Sequence, residues 1–293
     1  MSNTIVNTNV LALNSHRSLR QVGVQQSKAS ARLSSGLKIN SGADDAAGLA
    51  ISEKMRSQIR GLDMASKNSQ DAISLLQTAD GGLSEINNMV QRIRELTVQA
   101  ANDTNQKENE TDNDATDTIK LAKEAIQLVQ EIDAMAGRTE FNKKKLLTES
   151  DGGTATGANS FHMQVGANAG QKLDVVINRI NSNTLTLEAG DVSAAIFAGA
   201  SEASEFLTTI DEALRVVSEE RASLGAYQNR LEYTIKSLDI ASENTSASES
   251  RIRDADMARE MMNISKANVL QQAATSMLAQ ANQAPQNVLQ LLR

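Results

Sequence analysis

Apolar residues recur with a seven-residue period along the first half of the chain. From Ile51 to Ala100, alternating steps of four and three residues reach fifteen positions, and twelve of them carry Ile, Leu, Val, Met or Ala. A heptad sustained this long is typical of coiled-coil packing and predicts one helix on the order of 75 Å long. Gly61 and the pair Gly81–Gly82 are weak points, because each glycine costs about 1 kcal/mol relative to alanine in a helix. A kink near residue 81 is compatible with this pattern.

Three further helices are predicted after the first long one. A shorter amphipathic pattern covers 119–137, and a second long heptad covers 206–252 but weakens over the Ser- and Asn-rich stretch 241–250. The last helix is predicted over 254–290, and we expect Pro285 to interrupt or bend it because proline lacks the backbone N–H that a helix needs.

The segments between these helices have a different character. The polar stretch 101–117 predicts a loop, and the N-terminal segment 5–33 is amphipathic but weaker than the later helices. Within 139–187, the runs SFHMQVGANAG, KLDVVINRI and TLTLE place β-branched residues between Gly- and Asn-rich turns. They predict short strands.

The order of elements is nearly palindromic: helix, glycine-rich break, long helix, short helix, strands, long helix, weakened stretch, helix. The fold class it predicts is mostly α: an elongated rod of long coiled-coil helices with a small β-hairpin region. The N- and C-terminal segments pair at one end. Isolated helices are only marginally stable in water. The apolar stripes of the terminal helices therefore need a partner, in this chain or in another copy.

Composition supports thin helix contacts rather than a thick core. Aromatic residues make up 2% of the 293 residues, and the chain has no Trp, one Pro and no Cys. Aromatic side chains supply much of the buried area in compact cores, whereas Ala, Leu, Ile and Val suit narrow helix seams. The formal net charge of −7 argues against nucleic acid as a partner, because such binding needs clustered Lys and Arg.

Hydropathy predicts no membrane insertion. No stretch approaches the roughly 18–20 apolar residues of a membrane span. The first residues lack a basic region, and their longest apolar run is VLAL, which is too short for a secretory signal peptide. We therefore expect either a cytosolic protein or export by a route that does not read hydrophobicity.

The stretch SSGLKINSGADDAAGLAISEKM (34–55) carries glycines at 36, 42 and 48 before a helix. It could cradle a phosphate at the helix N-terminus, or it could join two helical segments. Asp44 and Asp45 fall in the first turn, where carboxylates favour the helix dipole but repel phosphate. A joint with a capped helix start is the favoured interpretation.

Motifs of enzyme chemistry are missing from the sequence. His16 and His162 are far apart and neither belongs to an H-E-x-x-H pattern, and no serine lies in a G-x-S-x-G elbow. We expect no catalytic residues, no metal site and no cofactor. One flanking stripe stands out in QRIRELTVQAAN (91–102): Arg92, Leu96 and Gln99 lie beside the heptad positions. The simplest interpretation is a face that packs a neighbouring helix or subunit.

Several specific runs resemble bacterial flagellin. They are ARLSSGLKINSGADDAAGLAISEKMRSQIRGL (31–62), QDAISLLQTADGGLSEI (70–86), QRIRELTVQAAN, RTEFNKKKLL (138–147), QVGANAG (164–170) and the C-terminal SRIRDADMARE with LAQANQAPQNVLQLLR. The resemblance covers about 31–102, 119–180 and 210–293.

The resemblance implies a layout of paired chain halves. Residues 1–33 and 256–293 would form the inner-core domain, called D0 in this family, and 34–45 and 246–255 a spoke linker. Residues 46–147 and 204–245 would form the helical D1 rod. Only 148–203 would remain for the β-hairpin and a short variable region, so the chain resembles a flagellin with little or no outer domain.

The implied function is that of a structural subunit which polymerises into the flagellar filament for swimming, outside the cell. The family leaves through the flagellar type III system, with an export chaperone, a filament cap and hook-junction proteins as partners. We expect the terminal segments to drive homopolymerisation. The predicted polymerisation seam comprises Val6, Val10, Leu13, Met257, Met261, Ile264, Leu270, Ala274, Met277 and Leu292.

The family also implies two further sites. The flagellin-sensing Toll-like receptor of hosts contacts D1, and the matching positions here are Arg92, Leu96, Gln99 and Glu124; the longer stretch 103–118 puts the contact geometry in doubt. The predicted hinge of the spoke comprises Gly36, Gly42 and Asp44, with Asp44 capping the helix that follows.

Alternatives differ in what they leave unexplained. A hook–filament junction protein shares the terminal segments, but the RTEFN turn favours the filament subunit. A cytoplasmic coiled-coil scaffold would explain the heptads and the charge but not the terminal stripes. An enzyme is the least favoured alternative, because this chain lacks the proteolytic insertion that some flagellins carry and also lacks its zinc motif.

Overall fold

A computed structural model describes residues 8–102, 117–148, 158–198 and 200–291. In these ranges the fold is mostly α, as predicted. The helices are α1 (Val10–Ser35), α2 (Ala46–Ala100), α3 (Asp117–Arg138), α4 (Ala189–Ala198), α5 (Ala200–Arg253) and α6 (Met257–Leu291). The strands are β1 (Glu140–Phe141), β2 (Lys144–Lys145), β3 (Ala158–Gln164) and β4 (Lys172–Asn178).

The chain divides into two compact units. The terminal unit comprises Met1–Ile59 and Ser242–Arg293, and the central unit comprises Arg60–Ala241. Each unit therefore combines residues from both halves of the chain, as the palindromic order predicts. The division falls at Arg60 and Ala241, inside α2 and α5, rather than at their ends.

The core of the central unit is the predicted heptad of α2. From Leu62 to Ala100 every seam position is buried, and Leu76, Leu83, Ile86, Val90 and Ile93 are 0% exposed. Towards the start of the helix the pattern fails: Ile51, the first predicted seam residue, is 49% exposed, whereas the adjacent Ser52 is fully buried. The buried face of α2 thus starts one residue away from the heptad, because the terminal unit packs that end differently.

α5 supplies the opposite wall of this core. Ile210, Val217, Leu224 and Leu231, one heptad apart, are 0% exposed. Two polar contacts fix its antiparallel register on α2: Arg221 Nε donates to Asp80 Oδ1 at 2.8 Å, and Arg94 Nε donates to Asp211 Oδ1 at 2.7 Å.

The strands form two antiparallel hairpins. β3 pairs with β4 from Ala158↔Asn178 to Gln164↔Lys172, and alternate residues of β4 (Leu173, Val175 and Ile177) are buried in the core. β1 and β2 are joined by Asn142 and Lys143, with φ of 51° and 64°. Positive φ at both central residues is the signature of a type I′ hairpin turn.

Some predicted elements differ from the observed ones. TLTLE is a turn rather than a strand, because Thr186 adopts a φ of 54° and its N–H donates to Asn183 O. Helix α4 follows directly and was not predicted. The stretch 241–250, where the heptad weakens, and the predicted linker 246–255 are helical as far as Arg253. Helix α6 continues past Pro285, so the predicted interruption at that residue is wrong. Residues 103–116 of the predicted loop and part of the 148–203 region lie outside the described residues.

Adjacent glycines in α2 have different roles. A Cβ on Gly82 would lie 2.6 Å from Thr139 Oγ1 and 3.3 Å from Leu147 Cδ1, whereas a Cβ on Gly81 would meet nothing within 4 Å. The helix is continuous through both residues. Gly82 therefore permits a close approach of the chain after α3, and Gly81 does not have that function.

We expect opposite effects from alanine at these two positions. Gly81→Ala should raise the free energy of unfolding by about 0.5–1 kcal/mol, the helix-propensity gain. Gly82→Ala makes the same gain but overpacks against Thr139, which costs about 1–3 kcal/mol, so it should be net destabilising. Urea unfolding of the two purified monomers measures both values, and equal stabilisation would contradict the close-approach role of Gly82.

Candidate assembly and recognition surfaces

The terminal helices α1 and α6 pack against each other in antiparallel register. Three polar contacts set this register: Asn9 Nδ2 donates to Ala281 O at 2.7 Å, Gln26 Nε2 donates to Asn268 Oδ1 at 2.7 Å, and Arg32 Nη1 lies 3.7 Å from Glu260 Oε1. Each step towards the N-terminus on α1 matches a step towards the C-terminus on α6. The predicted pairing of the terminal segments is confirmed.

The contact between α1 and α6 is narrow. Among the side chains that the structure describes in this pair, the buried apolar residues are three alanines: Ala29 (7% exposed), Ala267 (5%) and Ala281 (1%). Alanine brings the two helices close but buries little area, so most of the larger apolar side chains on both helices stay outside the contact.

Most residues of the predicted polymerisation seam are exposed. Ile264 and Ala274 are half-buried, and Val6 and Leu292 lie outside the described residues. The exposed members are Val10 (51%), Leu13 (58%), Met257 (47%), Met261 (52%), Leu270 (41%) and Met277 (59%). The heptad analysis missed four further exposed apolar residues: Leu11, Val24, Met262 and Val269. They fall outside a single stripe, which is why a search for one seam did not find them.

Apolar exposure extends around α6. At about 100° per residue, Met262 and Val269 lie roughly 140–160° from the buried Ala267, near the opposite side of the helix. Both are 65% exposed. A helix that is apolar on several sides is stable in water only when it is buried on several sides. A single partner helix therefore cannot cover α6.

The glycine-rich stretch 34–55 forms a hydrogen-bonded junction within the terminal unit. α1 ends at Gly36, whose φ of 72° places it in the left-handed region and whose N–H donates to Arg32 O. The next residues pair with the link between α5 and α6: Lys38 N donates to Arg253 O at 2.7 Å, and Ala255 N donates to Gly36 O at 2.9 Å. Gly36 thus ends α1 in a backbone conformation that favours glycine.

The cap of α2 is one residue later than predicted. Asp45, not Asp44, caps the helix, because Asp45 Oδ1 accepts from Gly48 N at 2.9 Å. Asp44 Oδ2 instead accepts from Ser41 Oγ, Ser41 N and Asn40 N in the preceding turn. These hydrogen bonds, led by that from the Ser41 hydroxyl, hold the pKa of the Asp44 carboxyl below its usual value.

Gly48, rather than Gly42, is the sterically required glycine of this junction. A Cβ on Gly48 would lie 2.7 Å from Ile39 Cδ1, and Ile39 is 4% exposed. Gly42 has open space around it. A salt bridge of 3.0 Å between Arg253 Nη1 and Glu53 Oε1 adds to the junction. The arrangement is more constrained than a flexible hinge, and hinge motion at Gly36, Gly42 and Asp44 stays a prediction.

The predicted receptor-contact residues do not share one surface. Arg92, Gln99 and Glu124 are exposed, but Leu96 is 1% exposed and belongs to the core. The prediction of Leu96 as an exposed stripe residue is therefore wrong. It failed because α3 widens the buried face of α2 beyond the two heptad positions per repeat.

Arg92 is the centre of the remaining patch. Its guanidinium donates to Glu124 Oε1 on α3 (Nε at 3.0 Å) and to Glu95 Oε2 (Nη1 at 2.9 Å). These hydrogen bonds, first to Glu95 and then to Glu124, raise the pKa of Arg92. The patch is thus a charged, ion-paired surface joining α2 and α3, suited to recognition by a partner with hydrogen-bonding groups.

Two negative observations limit other functions within the described residues. No helix there has a stretch apolar enough to cross a membrane. The same ranges contain no group of His, Cys, Asp or Glu side chains arranged to hold a metal ion.

Two family models match this chain. The bacterial flagellin N-terminal helical region matches residues 6–151, and the bacterial flagellin C-terminal helical region matches residues 207–292. The flagellin of Halalkalibacterium halodurans is 49% identical over 291 residues, which cover 99% of this chain and 100% of that protein. The chain belongs to the bacterial flagellin family.

Two further relatives by sequence agree with this assignment. The Bacillus subtilis flagellin is 49% identical over 311 residues (98% of this chain, 99% of that protein), and a flagellar filament 31.3 kDa core protein of Treponema maltophilum is 44% identical over 294 residues (99% and 100%). The crystal structure of Bacillus cereus flagellin covers 59% of this chain and 88% of that chain with a TM-score of 0.45 and 30% identity. As a flagellin, this chain is a structural subunit of the extracellular flagellar filament and not an enzyme.

The corrected cap makes a local prediction for this flagellin. Asp45→Ala should speed amide hydrogen exchange at Gly48 in the first turn of α2, with a cost of about 1 kcal/mol, the usual value of an N-cap. Asp44→Ala should instead speed exchange at Asn40 and Ser41 and leave Gly48 unchanged. Residue-resolved exchange by NMR separates the two patterns. Faster exchange at Gly48 in the Asp44 variant alone would restore the original assignment.

Proposed function

We propose that this flagellin polymerises through the apolar surfaces of α1 and α6, which order and become buried when copies stack. The observation that carries the proposal is the exposure of large apolar residues on a helix pair whose fully buried apolar side chains, among those described, are alanines. Exposed apolar side chains in this number on one helix pair indicate an interaction site. The exposure of Met262 and Val269 on the far side of α6 supports burial against more than one neighbouring copy.

We further propose the export route and the accessory partners of the family for this chain. The route is the flagellar type III system, and the partners are an export chaperone, the filament cap and the hook-junction proteins. Membership of the flagellin family supports this route. Normal secretion by cells that lack the flagellar export gate would contradict it.

In this proposal, polymerisation depends on exposed apolar side chains that are not required for the folding of the monomer. Met277 is 59% exposed, so Met277→Glu should leave monomer helicity unchanged but prevent elongation, because a carboxylate would be buried in the interface. Met277→Leu is the matched control and should elongate normally. Sedimentation after seeding with filament fragments, followed by negative-stain microscopy, measures the outcome.

A deletion gives a second test of the same surface. Removal of 274–293 takes away the C-terminal half of α6 and should abolish filaments. Filaments of normal yield and length from the deleted chain, or from Met277→Glu, would contradict polymerisation through the terminal helices.

We propose that the flagellin-sensing Toll-like receptor of hosts recognises the monomer at Arg92, Gln99 and Glu124. The exposure of these three side chains and the ion pair between α2 and α3 support the proposal. Leu96 is excluded as a direct contact by its burial and supports the patch from beneath.

Removal of this ion pair should weaken signalling by the monomer. The double variant Arg92→Ala, Glu124→Ala should raise the half-maximal concentration in a receptor reporter assay by about ten-fold or more, as expected for loss of central interface charges. Arg215→Ala is a matched control, because Arg215 is an exposed arginine on α5 that pairs with Glu212 and Glu219. Equal signalling by the double variant and wild type would refute the assignment.

A further inference from the structure

The central unit contains a groove between α2 and the strands. Its volume is about 390 Å³, and its apolar lining comprises Ala72, Leu75, Phe141, Phe161 and Met163. The chain has only four phenylalanines, and two of them line this groove. Aromatic lining of this kind favours a flat apolar guest, since ring pairs contribute beyond the area that they bury. We call it the Phe141–Phe161 groove.

Polar residues surround the apolar lining. Asp71 and Lys144 are exposed at the edge, and neither forms an ion pair with any residue of the described ranges. His162 also lines the groove, but its ring already bonds Asp174 on the neighbouring strand. The groove thus combines an apolar floor with one available negative and one available positive charge.

A second surface of the central unit has the complementary features. Tyr233 on α5 is 72% exposed, the largest exposed fraction among the large apolar residues of the described chain. Lys236 Nζ lies 5.5 Å from the centroid of the Tyr233 ring. Glu232, the residue before Tyr233, is also exposed. The ring therefore projects into solvent, and Glu232 and Lys236, four residues apart on α5, lie together on one side of it.

We propose that Tyr233 of one copy of this flagellin inserts into the Phe141–Phe161 groove of a second copy. The ring contacts Phe141 and Phe161, Lys236 faces Asp71, and Glu232 faces Lys144. The exposure of Tyr233 shows that it does not fill the groove of its own copy. The inference rests on the proposed polymerisation and adds a contact of the central unit to that of the terminal helices.

This contact has the symmetry that a filament requires. The two copies use different surfaces, so the contact is heterologous, and each copy still has a free tyrosine and a free groove for the next. A contact of this type repeats without closing on itself unless the rotation between copies forms a ring. It is therefore compatible with an open helical polymer.

The natural absence of cysteine allows a direct test in the full-length chain. Two single-cysteine variants are made: Tyr233→Cys on the projecting surface and Ser160→Cys, a near-isosteric change in the groove lining. The variants are mixed, polymerised by seeding and treated with a short bis-maleimide. We expect a cross-linked dimer in filaments from the mixture, and none in filaments of either variant alone or in unpolymerised mixtures. If Tyr233→Cys elongates poorly, it is incorporated as a minority into Ser160→Cys filaments.

A control distinguishes this contact from general crowding in the filament. Ser218→Cys lies on an exposed position of α5 outside the groove and should not cross-link to Tyr233→Cys. In parallel, Tyr233→Ala should raise the critical concentration for polymerisation by roughly ten-fold, a value typical of a central interface aromatic, whereas Tyr233→Phe should change it by less than about two-fold.

The outcomes separate this inference from the proposed function. If wild-type chains form no filaments, polymerisation itself is wrong. If filaments form but the Tyr233 and Ser160 cysteines do not cross-link, or if Tyr233→Ala leaves the critical concentration unchanged, the groove has another occupant and the inference is overturned. Dimers from Tyr233→Cys alone would also overturn it, since they indicate a symmetric contact.

Discussion

Pairing between residues far apart in the sequence holds each unit of this flagellin together. In the terminal unit the hydrogen bond from Asn9 to Ala281 joins residues 272 positions apart, and in the central unit Arg221 and Asp80 are 141 positions apart. Each contact closes a long loop before it contributes stability, although the entropic cost rises only slowly with loop length. Long heptads make this pairing feasible, because one correct register buries many apolar positions together.

The helices and their partners were predictable where one periodic pattern dominated. The α2 heptad from Leu62 to Ala100 predicts the buried positions directly, because a helix in an antiparallel pair can turn only one of its faces towards the other helix. Leu96 shows the limit. A third helix, α3, also packs on α2, and the buried face becomes wider than a two-position heptad, a fact that no pattern within α2 alone reveals.

Short-range details were harder to predict because they depend on atoms from elsewhere in the fold. Asp44 and Asp45 are equally good helix caps by residue type, and the choice depends on which carboxylate the preceding turn engages through Ser41 and Asn40. TLTLE alternates as a strand does, but a turn is enough to bury both Leu185 and Leu187. The groove that we assign to Tyr233 was invisible in sequence, since its lining comes from α2, β1 and β3 together.

The alanine contact between α1 and α6 also determines how firmly the two helices are aligned. Alanine has no rotamers and no projecting shape, so the fully buried side chains by themselves do little to fix the position of one helix along the other. The alignment therefore depends on Asn9, Gln26 and Arg32 with their partners on α6. Gln26 and its partner Asn268 are exposed, and the two atoms of the Arg32 contact are 3.7 Å apart. The alignment of the helix pair is thus specified chemically, by these polar contacts, rather than by the shape of its fully buried side chains.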